Sequence, residues 1–95
     1  MTGVLLFAKF AEGVPYGKYF CEVSHGNRTE VADTTPKSNG SLSLIYPAEF
    51  ADAPALPLPN DEYSTEWYEA AGVGRRSLAR ARFWIDGPAF RWESP

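Results

Sequence analysis

Residues 77–93, SLARARFWIDGPAFRWE, decide how the C-terminal end of the chain folds. Before the Asp-Gly-Pro stretch, apolar residues occupy every second position, and arginine or tryptophan occupies most positions between them. Successive side chains of a strand point to opposite faces, so a period of two indicates a β-strand. Asp, Gly and Pro favour a turn. The stretch therefore predicts a C-terminal hairpin within residues 75–95, with strands at 77–85 and 89–93. One face of its first strand carries Ala79, Ala81, Phe83 and Ile85, and the other carries Leu78, Arg80, Arg82 and Trp84.

The register of this hairpin can also be predicted from charge. A four-residue turn from Asp86 to Ala89 places Trp84 opposite Arg91 and Arg82 opposite Glu93. A two-residue Asp-Gly turn would instead place Arg82 opposite Arg91, and directly opposed like charges destabilise a sheet by up to ~1 kcal/mol. A three-residue turn would move Arg91 to the apolar face. We therefore expect the first register, with a Trp84–Arg91 contact and an Arg82–Glu93 ion pair.

The rest of the chain predicts more strands and one helix. Alternating apolar residues at 3–10, 18–24, 29–33 and 41–46 predict a β-meander over residues 1–50. A proline-rich connection follows at residues 51–60. Residues 61–71 predict a helix, because Asn60 is a suitable N-cap and Tyr63 and Trp67 lie one helical turn apart. The expected fold class is α+β in the order β-β-β-β-α-β-β. This is a small antiparallel sheet or partly open β-barrel of about six strands, with one helix before the last two strands.

Length and composition bound the kind of protein. The 95 residues predict a single domain, residues 1–95, and the 44% hydrophobic and 15% aromatic content predicts a folded core. The single cysteine, Cys21, excludes an internal disulfide or a cysteine-cluster zinc site, and we expect it to pack as a small apolar residue. We see no signal peptide and no apolar run of membrane-span length, so we expect a cytoplasmic protein with no membrane association.

Charge is unevenly distributed and marks two candidate binding surfaces. Residues 1–74 hold four basic and ten acidic side chains, whereas residues 75–95 hold five arginines and two acidic side chains. The first predicted partner-binding surface consists of Arg75, Arg76, Arg80, Arg82, Trp84 and Arg91. It suits a protein partner or a single-stranded nucleic acid, or its arginines pair within the fold. The second surface is the acidic face of the predicted helix, which is either simply solvated or mimics phosphate charge: Asp61, Glu62, Glu66 and Glu69.

Catalytic machinery is not evident in the sequence. Ser24 and His25 are neighbours on a predicted strand end and point to opposite faces, so they cannot readily share a proton. We expect His25 to be an ordinary surface histidine in a turn. No glycine-rich phosphate loop or metal-ligand spacing is present, so we predict no catalytic residue, no metal and no cofactor.

These observations predict a non-enzymatic protein-interaction domain. Small acidic chains without catalytic motifs are commonly accessory or inhibitor proteins that bind a larger protein, including those of phages and other mobile elements. The first alternative is a single-stranded nucleic-acid-binding module that uses the Arg/Trp hairpin face. The second alternative is a small enzyme of unknown type. The sequence does not indicate an oligomeric state.

Overall fold

Alternating apolar residues build an antiparallel, all-β structure. The computed structural model describes residues 3–10, 17–37, 40–53 and 57–93, so residues 54–56 of the predicted proline-rich connection lie outside the described residues. Seven strands form within the described ranges: β1 Val4–Lys9, β2 Tyr19–His25, β3 Arg28–Thr34, β4 Ser41–Tyr46, β5 Asp61–Ala71, β6 Gly74–Asp86 and β7 Ala89–Glu93.

The strands form two sheets that share one core. β1 pairs with β4, and the other strands form a five-stranded sheet in the order β3-β2-β5-β6-β7. The apolar faces of both sheets meet in a single buried cluster, which includes Leu6 and Leu44 from the small sheet and Trp67 and Phe83 from the large one. This arrangement of two packed layers is how sheets with one apolar face exclude water.

The helix predicted at residues 61–71 is wrong, and with it the α+β class. These residues form β5, a strand in the middle of the five-stranded sheet. Tyr63 and Trp67 lie four positions apart, a spacing that fits one helical turn and also two periods of a strand. Thr65, which a helix would turn towards solvent, is buried between them and donates a hydrogen bond from Oγ1 to the Ala81 carbonyl oxygen at 3.2 Å.

Two-residue loops connect the paired strands of the β5–β6 and β6–β7 hairpins in the large sheet. In the β5–β6 loop Gly72 has a φ of 60°, and in the β6–β7 loop Gly87 has a φ of 59°. A positive φ at the first loop position and a return to negative φ at the second is typical of a type II′ turn, which matches the twist of the flanking strands. The sequence Gly72-Val73 is therefore a hairpin signal.

The predicted register of the C-terminal hairpin is confirmed. Trp84 pairs with Arg91 and Arg82 pairs with Glu93. The loop itself is shorter than predicted, because Asp86 and Ala89 also pair, so that the loop consists of Gly87 and Pro88.

The strict alternation predicted for β6 fails at one point. The register against β5 shifts between Trp67 and Tyr68, so that Ala79 pairs with Trp67 whereas Ser77 pairs with Tyr68. Leu78 is the extra residue of this β-bulge, and both Leu78 and Ala79 pack against the core instead of facing opposite ways. Among the described residues, no helix has the length and apolar content that crossing a membrane requires.

Candidate functional site

The outer face of the five-stranded sheet brings together residues that the sequence assigned to two surfaces. Because β5 is a strand between β2 and β6, its acidic residues lie beside the arginines of β6. Glu62 and Glu66 share the outer face with Arg80, Arg82 and Trp84. Alternation places the other two acidic residues of β5, Asp61 and Glu69, on the opposite side near the strand ends. The predicted acidic helix surface therefore does not exist as one face.

Glu66 lies at the centre of this outer face and joins two arginines. Its carboxylate lies 3.1 Å from Arg75 and 3.0 Å from Arg80, and its side chain is 14% exposed. Arg75 also lies 2.9 Å from Glu22 on β2 and 4.5 Å above the ring of Tyr68. Glu22 was not among the predicted site residues, because its role depends on which strand lies beside β5. Arg75 and Arg80 of β6 are thus paired with a carboxylate on β5, and Arg75 also pairs with one on β2.

Further ion pairs extend along the hairpin. Arg82 lies 3.3 Å from Glu62 and 3.3 Å from Glu93, which confirms the predicted Arg82–Glu93 pair. Arg76 departs from the predicted surface, because it pairs with Glu69 at 2.7 Å on the opposite side of the sheet. Of the arginines that the sequence grouped together, four therefore lie on the outer face: Arg75, Arg80, Arg82 and Arg91.

These contacts shift the pKa values of the paired carboxyl groups. Burial opposes ionisation of Glu66, but hydrogen bonds from Arg80 and Ser77 and the charge of Arg75 hold the pKa of its carboxyl below the ordinary value. The hydrogen bond from Arg76 lowers the pKa of Glu69. Both carboxylates therefore stabilise the folded state above the ordinary carboxyl pKa, and this stabilisation is lost as the pH falls through their lowered values.

Replacing Glu66 by glutamine is expected to lower the free energy of unfolding near neutral pH by about 1 kcal/mol, because two arginines lose their shared carboxylate. The difference from wild type should shrink as the pH falls through the lowered pKa of Glu66, because the glutamate itself then becomes protonated. Urea unfolding at neutral and at acidic pH measures both quantities. Asp33→Asn is the matched control, since Asp33 is exposed on β3 and has no ion pair among the described residues. Equal losses in the two variants would contradict this account.

Trp84 and Arg91 form the part of the outer face in which the arginine charge is not paired with a carboxylate of the described residues. The guanidinium of Arg91 lies 4.0 Å from the centroid of the Trp84 ring, which confirms the predicted contact, and that of Arg82 lies 5.4 Å from it. Within the described ranges, Arg91 has no carboxylate at ion-pair distance, in contrast to Arg75, Arg80 and Arg82. A cation stacked on an indole keeps its charge available to a further ligand.

Two concave surfaces meet at this pair. One is an open groove of about 670 Å³ that runs from the start of β5 to the β6–β7 turn and is lined by Trp84, Phe90 and Arg91, among others. The second has a volume of about 410 Å³ and lies on the other side of the Trp84–Arg91 pair. It is lined by Trp84, Arg91, Trp92 and further residues of the hairpin. Asn60, predicted as a helix cap, instead accepts a hydrogen bond from the Gly87 N–H at 2.8 Å and so fixes the groove wall to the turn.

A second polar cluster lies at the start of β5, on the inner side of the sheet. His25 is half-buried at the end of β2, where its ring stacks on Tyr63 at 4.4 Å and its Nε2 lies 2.9 Å from the Asp61 carboxylate. It is therefore not the surface turn histidine that the sequence predicted. The Glu62 backbone N–H, followed by the His25 side chain, lowers the pKa of Asp61. Ser24 points elsewhere and contacts Thr29, so a Ser–His pair does not form.

Other reactive groups of the described residues are also structural. Cys21 is fully buried, which confirms its predicted packing role, and this burial raises the pKa of its thiol. Glu30 is almost fully buried and pairs with Arg28 through one carboxylate oxygen. No group of His, Cys, Asp and Glu side chains in the described ranges has an arrangement that would hold a metal ion.

Comparisons with known proteins add no assignment to this geometry. No family model matches the chain, and neither the curated proteins nor the solved structures gave a match. A fold hosts many functions, so the function rests on the properties of the site.

Proposed function

We propose that this chain is a non-enzymatic protein-interaction domain that binds its partner through Trp84 and Arg91 on the outer face of the β6–β7 hairpin. The observation that supports this most directly is the position of the pair between two grooves, with Arg91 lacking a carboxylate partner among the described residues. Tryptophan and arginine are the residue types most often found at the energetic centre of protein interfaces. The role we envisage is that of a cytoplasmic accessory or inhibitor protein, of the kind that phages and mobile elements encode.

The internal ion pairs favour a protein partner over a nucleic acid. A nucleic acid is held mainly by cations that are free to meet successive phosphates. Here Arg75, Arg80 and Arg82 are each within 3.3 Å of a glutamate, so a phosphate backbone would have to displace these carboxylates or lie beside them. The described residues of the outer face therefore carry no excess of positive charge, so a protein surface with mixed charges fits this face better.

Trp84→Ala combined with Arg91→Ala is expected to abolish capture of a partner from extracts of the organism that encodes the chain. The matched control is Phe20→Ala with Tyr68→Ala, which removes another aromatic contact of the same sheet face, with rings 5.4 Å apart. Wild-type protein and this control should retain the same partner in stoichiometric amount, measured by quantitative mass spectrometry of affinity-purified complexes. Circular dichroism of each variant shows whether the fold is intact.

Two results would count against the proposal. Retention of the partner by the Trp84→Ala/Arg91→Ala protein would move the binding surface elsewhere on the domain. Binding of a labelled single-stranded oligonucleotide that weakens steeply with salt, and that is lost in Trp84→Ala, would replace it with the nucleic-acid alternative.

A further inference from the structure

β7 is an edge strand whose outward side pairs with no described strand. It is the last strand of the five-stranded sheet, and only β6 lies beside it. At the opposite edge, Arg28 at the start of β3 donates a hydrogen bond to the Asp52 carbonyl in the loop that follows β4. An uncovered edge presents a row of backbone donors and acceptors that can pair with another extended chain.

The hairpin register identifies which backbone groups of β7 are available. In a hairpin with a two-residue loop, the residues that flank the loop exchange backbone hydrogen bonds, and every second pair along the ladder does the same. Asp86 and Ala89 flank the loop, so the next such pair is Trp84 with Arg91. The N–H and C=O groups of Phe90 and Trp92 therefore point away from β6 towards the free edge.

Side chains on the two faces of β7 indicate what an added strand would carry. On the inner face Phe90 and Trp92 are only half-buried, and Trp92 lies 6.0 Å from Phe7, which is 38% exposed on β1. An added strand would cover this apolar strip with its own apolar side chains. On the outer face, Arg91 is flanked on β7 by Ala89 and Glu93.

The charges of the outer face make the preference more specific. A carboxylate on the added strand opposite Arg91 would meet a guanidinium that has no acidic partner among the described residues. An acidic residue two positions further along the added strand in one direction would approach Glu93. In the other direction it would lie opposite Ala89 and approach Asp86, which pairs with Ala89. Like charges placed in this way are unfavourable across strands.

We infer that β7 binds an extended segment of a partner protein as an added strand, with one carboxylate opposite Arg91, non-acidic residues two positions away on either side, and apolar residues between them against Phe90 and Trp92. This inference rests on the proposed function and names the binding mode and the partner's chemistry. The specificity comes from the outer-face charges, and the pairing comes from the backbone of Phe90 and Trp92.

The test begins with selection of a displayed library of random peptides, long enough to span β7, against the wild-type protein. Selected sequences should alternate apolar and polar residues, contain one acidic residue and lack proline at the paired positions. Arg91→Glu should weaken binding of the best selected peptide by about 10–100-fold. A version of that peptide with lysine in place of its acidic residue should bind the Arg91→Glu protein more tightly than it binds wild type. Arg91→Gln, which adds no like charge beside Glu93, should show an intermediate loss, and Phe20→Ala/Tyr68→Ala should show none.

Backbone pairing is read separately by amide hydrogen exchange in NMR spectra, with the best selected peptide as the probe. The amides of Phe90 and Trp92 should exchange rapidly in the free protein and become protected on binding, whereas the Arg91 amide should be protected in both states. Failure of selection, no acidic preference, or rapid exchange at Phe90 and Trp92 with peptide bound would overturn the inference. Protection of these amides that grows with protein concentration alone would identify a second copy as the occupant and would also overturn it. Each of these failures leaves the proposed function standing if Trp84→Ala/Arg91→Ala still loses the partner captured from the cell extract.

Discussion

Thr65→Lys is expected to unfold most of the protein at room temperature. Thr65 is 3% exposed, between the buried rings of β5, and the one buried carboxylate of the described residues, Glu30, lies two strands away and already pairs with Arg28. Burying an unpaired charge costs more than about 4 kcal/mol, which is close to the whole stability of a small domain. If residues 61–71 formed the predicted helix, position 65 would lie away from the stripe of Tyr63 and Trp67, and lysine would be tolerated.

Two further variants separate charge from shape at this position. Thr65→Val should remain folded, because it keeps the volume and loses only the hydrogen bond to the Ala81 carbonyl. Ser64→Lys should lose at most about 1 kcal/mol, since it faces solvent opposite Arg82. Far-ultraviolet circular dichroism and urea unfolding measure all three proteins. A folded Thr65→Lys protein with wild-type stability would refute the assignment of β5 as a buried central strand.

Trp67→Ala is expected to lower the free energy of unfolding by about 3–5 kcal/mol. Trp67 is fully buried in the core at the position where β5 meets the bulge of β6. Its indole Nε1 has no hydrogen-bond acceptor among the described residues, so the loss comes from packing and from the cavity that alanine leaves. Chemical denaturation followed by circular dichroism measures the change without depending on tryptophan fluorescence.

The neighbouring residue supplies the control for this prediction. Tyr68 is also aromatic but lies on the outer face, stacked on Phe20 at 5.4 Å. Tyr68→Ala should therefore cost about 1 kcal/mol, the magnitude of one aromatic pair at a partly exposed site. Trp67→Phe should cost less than Trp67→Ala because most of the volume is retained. A Trp67→Ala loss no larger than that of Tyr68→Ala would contradict the two-sheet core.

The C-terminal hairpin could be predicted in detail because several independent signals agree there. Alternation, a turn-forming stretch and the charge pairs all select one register for β6 and β7. Bounds predicted for β4 and β7 also coincide with those of the structure. Only the length of the loop differed, because Asp86 and Ala89 continue the pairing.

The strand at residues 61–71 was missed because its local signals conflict. Asn60, Asp61 and Glu62 resemble the start of a helix, and the four-residue spacing of Tyr63 and Trp67 fits both periods. The position that decides between them is Thr65, a polar residue whose burial depends on a hydrogen bond to β6. Such a contact depends on tertiary pairing and has no local sequence signature.

The residues of the outer face could be predicted only in part, since Arg76 lies on the opposite side of the sheet and Glu22 was missed. The Trp84–Arg91 contact follows from the hairpin register alone. The roles of Glu22, Glu62 and Glu66 follow only when β5 lies between β2 and β6, which a helix at residues 61–71 excluded. Because of this strand order, residues from the two predicted charged surfaces lie on one face. There the arginines other than Arg91 pair with glutamates.

Photo-crosslinking to the partner in the cell tests most directly the claim that the β6–β7 face is the binding surface. A photoreactive phenylalanine analogue replaces Ala89, which is exposed on β7 beside Arg91, or Val31, which is 41% exposed at the opposite edge of the sheet on β3. Position 89 is expected to form a covalent adduct with a single partner, and position 31 is expected to form none. An adduct from position 31 alone would contradict the assignment of the binding surface to the β6–β7 hairpin.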